Sequence, residues 1–128
     1  MTLSKETNDA VKTLSSLIQK VETWDVSYQL DKLPAWIAYA EEKIAEKNRE
    51  VQHAKLQLKK TVMTEMLRSQ RKNATEKKAE AELLAIGEEA DFITKLADKE
   101  MLEVKYSYLT NKFISARKQT SLLEKQLS

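Results

Sequence analysis

Cysteine is absent from this 128-residue chain, and glycine and proline occur once each. The first absence excludes disulfides and thiolate metal sites. The scarcity of the other two excludes a compact β or α/β domain, which needs them at its many turns. One histidine, His53, leaves zinc without a second imidazole, so no metal site is expected and His53 is read as exposed. Long apolar runs are missing too: the longest, Ala35 to Ala40, falls far short of the ~18 residues of a membrane span. The N-terminus lacks the basic-then-apolar layout of a secretory signal, so a cytoplasmic setting without membrane contact is expected. No glycine-rich phosphate loop, nucleophile elbow or anchored Ser/His/Asp set is present, and the carboxylates Glu80, Glu82, Glu88 and Glu89 fall on helix surfaces. These patterns point to a binding or assembly protein without a cofactor rather than to an enzyme.

What remains is charge and helical periodicity. Charged residues make up 33% and hydrophobic ones 41%, with 22 bases nearly balanced by 20 acids. That is the usage of long helices and coiled coils, and the fold class expected is all-α, as a single domain over 1–128. Residues 3–22 are predicted as a short N-terminal helix, opened by Leu3 or Ser4, with Ala10, Val11, Leu14, Leu17, Ile18 and Val21 at steps of three and four. Thr23 to Lys32 carries no sustained stripe and is predicted as a linker. Pro34 suits the first turn of a new helix, and a proline pushes the residue before it, Leu33, out of the α region. A long helix is predicted over 34–71, its seam formed by Ile37, Ala40, Ile44, Val51, Ala54, Leu58, Val62 and Met66, with Lys47 or Asn48 in a polar slot. Asn73 followed by Glu76 resembles a capping box and restarts a helix over 74–126. Within it, Ile86, Ala90, Ile93 and Ala97 form one seam. Leu102, Tyr106, Leu109, Phe113, Ala116, Thr120, Leu123 and Leu127 form another, out of phase by a stutter near Lys99–Met101. Gly87 suggests a bend or a close helix contact.

Charge sets the pairing. If the chain reverses near residue 73, residues 79–103, with eight acids and two bases, face 43–67, with six bases and three acids. Residues 104–128, with five bases and one acid, then face 18–42, with two bases and five acids. The expected architecture is therefore a long antiparallel helical hairpin, coiled-coil-like, with the N-terminal helix packed on its open end. One hairpin leaves much of each seam uncovered, so a homo-oligomer or a helical partner is expected.

The turn itself is the strongest candidate site. Arg68, Arg71, Lys72, Lys77 and Lys78 lie within residues 68–78 with one acid, Glu76, and Lys55, Lys59 and Lys60 continue the band along the long helix. Clustered cations of this kind hold a nucleic-acid backbone through counterion release, and the bland alternative is a solvated turn. Arg117 and Lys118 flank the last heptads and are read as pairing with acids. Trp24, Tyr28, Trp36 and Tyr39 could stack nucleobases. With Tyr106, Tyr108 and Phe113 at the same end of the hairpin, they are better explained as an aromatic plug. Trp36, Ile37, Tyr106, Leu109, Phe113 and Leu123 are accordingly expected in the core or at an oligomer interface.

A Trp-Ile pair opening a long basic helix (Trp36-Ile37), a polar turn, an Ala/Glu/Lys-rich helix and a terminal stretch reading ISARKQTSLL together resemble small phage recombination mediators of the UvsY type, over residues 30–123. The resemblance implies a helical protomer that assembles into a ring-like oligomer. It also implies binding of single-stranded DNA along basic surfaces and help in loading a recombinase. The positions matching the DNA-contacting band are Lys55, Lys59, Lys60, Arg68, Arg71 and Lys72. A helical protein-interaction module with no nucleic-acid role (a scaffold, adaptor or small inhibitor) is the alternative reading.

Overall fold

The computed structural model describes residues 5–127 and is all-α, with four helices and no strand among them. The helices are α1 (Lys5–Val21), α2 (Val26–Arg68), α3 (Ala74–Leu84) and α4 (Ile86–Leu127). The predicted start of the first helix at Leu3 or Ser4 lies outside the described residues. The described residues form two compact units, one spanning Glu46–Lys99 and the other combining 5–45 with 100–127. In both units α2 packs against α4, as an antiparallel hairpin requires.

In the second unit α1 buries Thr7, Ala10, Leu14, Leu17 and Val21, the stripe its spacing dictates. These side chains join Leu33, Ala40, Leu102 and Leu109 in one core, with Trp24, Trp36, Ile37, Tyr39, Tyr106, Tyr108 and Phe113 packed around it. Trp24 meets Tyr28 edge-on at 4.8 Å, and Trp36 meets Tyr39 at 5.8 Å, the T-shaped geometry that ring quadrupoles favour. Tyr106 donates to Glu41 at 3.0 Å, Tyr108 donates to Glu22, and the Lys112 ammonium lies 3.1 Å from Glu22.

The linker expected over Thr23–Lys32 is shorter, and α2 starts eight residues before Pro34. Asp25 caps the helix: its carboxylate accepts from the Tyr28 N–H at 2.8 Å, and its carbonyl from the Gln29 N–H at 3.0 Å. Gln29 Nε2 also donates to the Trp24 carbonyl at 3.0 Å. Proline inside a helix removes one ladder bond and costs about 3 kcal/mol. Here the fully buried Leu33 beside it, and the core that continues on both sides, hold the helix through Pro34.

In the first unit the core is built from small residues: Val51, Ala54, Ala81 and Ala85 are buried, and Leu58, Val62 and Met66 are half-buried. Two polar side chains join them. Lys47 (4% exposed) and Asp98 (1% exposed) form a buried ion pair at 3.6 Å, and Lys47 also reaches Glu50 at 2.8 Å. Lys47 thus fills the polar slot, with Asp98 close to the position expected opposite it. Thr61 donates to Glu88 at 3.4 Å within a turn of the same register.

The single helix expected over 74–126 is two. At Ala85 the backbone leaves α geometry (φ −96°, ψ 13°) while its N–H still reaches the carbonyls of Ala81 and Glu82. The bend thus falls two residues before Gly87. A Cβ on Gly87 would meet nothing within 4 Å, so no close helix contact exists there. Gly87 is helical with no positive φ, and Gly87→Ala is expected to stabilise the fold by about 0.5–1 kcal/mol in denaturant melts, because only backbone freedom is lost.

The predicted first seam of this helix is also corrected. Ile86 and Ile93 are 57% and 43% exposed, and Ala90 is exposed. The inward line instead runs Ala81, Ala85, Glu88, Phe92, Lys95, Asp98, Leu102, its alternation of four and three slipping by one residue at the buried Asp98, next to the expected stutter. Charged residues occupy several of its positions, and an apolar count misses it for that reason.

Candidate nucleic-acid interface

α2 ends at Arg68, three residues earlier than expected, with the Ser69 N–H on the Met66 carbonyl. Asn73 then caps α3: its side chain accepts from the Glu76 N–H at 2.8 Å and its carbonyl from the Lys77 N–H at 3.1 Å. The half-box seen in the sequence is a working cap. The turn between is braced by Glu80, whose carboxylate accepts from the Ser69 hydroxyl at 3.0 Å and from Arg71 Nε at 3.1 Å.

That brace splits the candidate cations into two groups. Arg71 is held by Glu80, and Arg68 lies 3.8 Å from Glu65. The lysines Lys55, Lys59, Lys60, Lys72 and Lys78 are exposed and Lys77 is half-buried, and none of the six pairs with an acid among the described residues. Part of the turn's charge is therefore neutralised within the chain. The lysine component is not.

The more telling geometry lies along α2, where the sequence drew no boundary. Between Arg49 and Arg68, about 28 Å of helix, the acids are two, Glu50 and Glu65, against five bases. Both acids are turned to cations: Glu50 lies 2.8 Å from Lys47 with its side chain 42% exposed, and Glu65 lies 3.8 Å from Arg68. Arg49, Lys55, Lys59, Lys60 and Arg68 are all exposed on it. Among them stand Leu56, Met63 and Leu67, exposed by 49%, 65% and 87%, at steps of seven and four opposite the inward Ala54, Leu58 and Val62. Arg49, missed by the sequence reading, belongs to this face; the helical period measured from Leu56 would have found it.

The other candidates fall elsewhere. Leu109 is fully buried, and Trp36, Ile37, Tyr106 and Phe113 pack on the core of the second unit, so these rings hold helices together. Leu123 lies outside the core at 55% exposure, because residues 121–127 of α4 are exposed throughout. Arg117 and Lys118 are exposed too, with the Arg117 guanidinium 5.8 Å from the Phe113 ring rather than on an acid. His53 is exposed. Among the described residues no cluster of metal-ligating side chains occurs, and no helix is long and apolar enough to cross a membrane. Comparison with protein families, curated proteins and solved structures returns no match.

Proposed function

We propose that this chain is a non-enzymatic protein that binds single-stranded nucleic acid, a recombination mediator of the phage type acting as a helical oligomer. The strand lies along the outward face of α2 and onto Lys72, Lys77 and Lys78. One observation carries the reading: an outward surface of α2 on which Arg49, Lys59 and Lys60 stand among three exposed apolar side chains, with Lys55 on one flank and Arg68 on the other. Phosphates take the cations, with counterion release as the driving force. Unpaired bases offer apolar faces that Leu56, Met63 and Leu67 can cover, and a duplex hides those faces in its stack. The likeness to UvsY-type mediators supports the same reading.

A protein-interaction module is the second reading, favoured by the Arg71–Glu80 and Arg68–Glu65 contacts that neutralise part of the turn. Fluorescence anisotropy with oligothymidine and with a duplex of equal length separates the two. The expected result is tighter binding of the single strand, with log K falling linearly in log salt at about −0.7 per phosphate contacted. Absence of binding to either probe at about 50 mM salt, a permissive condition, leaves the interaction module.

A further inference from the structure

Two exposed faces of α4 lie outside the nucleic-acid face. In the first unit Ile86, Ala90 and Ile93 point outward, with Glu82 of the preceding turn and Glu89 exposed beside them. In the second unit the last turns of α4 present one exposed face, a shallow groove between its own side chains Ile114, Arg117, Lys118, Ser121, Leu122 and Lys125. Ile114 and Leu122 are 43% and 59% exposed, and no acid lines the groove.

We infer that these faces are the two halves of one contact between copies of this chain: the acid-flanked isoleucine face of one copy packs into the cationic groove of another. Each face is a few helical turns long, so one helix covers the other without overhang. Both present branched aliphatic side chains that gain by leaving water. Charge then selects the pairing. Groove against groove brings Arg117 and Lys118 onto their like, and acidic face against acidic face brings glutamates together; groove against face joins opposite signs. The contact is heterologous, since unlike patches meet, and it leaves the lysine face of α2 uncovered. It stands whether or not that face binds nucleic acid.

The test uses the full-length chain in sedimentation velocity at low salt, with helicity checked by circular dichroism. One variant carries Arg117→Glu and Lys118→Glu, another Glu82→Lys and Glu89→Lys. The wild type is expected to associate, and each variant alone to sediment as a monomer at concentrations about tenfold higher, because in each both faces carry one sign. An equimolar mixture of the two variants is expected to associate again, since each then offers the complement the other lacks. A wild type that stays monomeric at every concentration overturns the inference. So does association that survives both pairs of reversals, or that is lost instead on Lys55→Glu with Lys59→Glu.

Discussion

Replacing Lys55, Lys59 and Lys60 together by glutamate is expected to abolish measurable binding of single-stranded oligonucleotides, with affinity down by at least about a hundredfold at low salt. All three are exposed and none pairs with an acid among the described residues, so the fold is expected to stand. The alanine triple variant gives the graded form: weaker binding to all sequences alike, and a log K against log salt slope shallower by about 2. Arg71→Ala should matter less than any of these lysines, because Glu80 already holds that guanidinium at 3.1 Å. Anisotropy titrations at several salt concentrations read all of these variants.

The largest effect on stability is expected at the buried ion pair of the first unit. Lys47→Met leaves the Asp98 carboxylate, 1% exposed, without the ammonium 3.6 Å away, and is expected to cost about 3–5 kcal/mol. The double variant Lys47→Met with Asp98→Leu removes both charges and restores apolar packing, and its stability should return to within about 1 kcal/mol of wild type or exceed it. Chemical denaturation of the four proteins of this cycle gives the coupling directly. A Lys47→Met protein as stable as wild type would mean that the pair contributes nothing to the fold.

Much of this architecture can be read from residue order. The α1 stripe, the α2 seam, the Asn73 cap, the reversal at the turn and the register of opposite charges all rest on local chemistry or on period, and each has its counterpart in a buried side chain or a bond. Two features needed the third dimension. Asp25 and the buried Leu33 carry α2 through Pro34, and a proline read alone points to a start instead. The inward line of α4 before Leu102 passes through Glu88, Lys95 and Asp98, so the exposed isoleucines on the opposite side made the better apolar stripe. At the candidate site the lysines were legible as a cluster. The engagement of the acids along α2 was not, because Glu50 and Glu65 count only as neighbours in sequence and the fold turns them to Lys47 and Arg68.

Lysine acetylation read by mass spectrometry, with and without oligothymidine, tests where the strand lies. The account expects Lys55, Lys59, Lys60, Lys72, Lys77 and Lys78 to be protected, while Lys32, Lys118 and Lys125 stay as reactive as in the protein alone. Protection confined to Lys118 and Lys125, or none along α2 in a saturated complex, would contradict it.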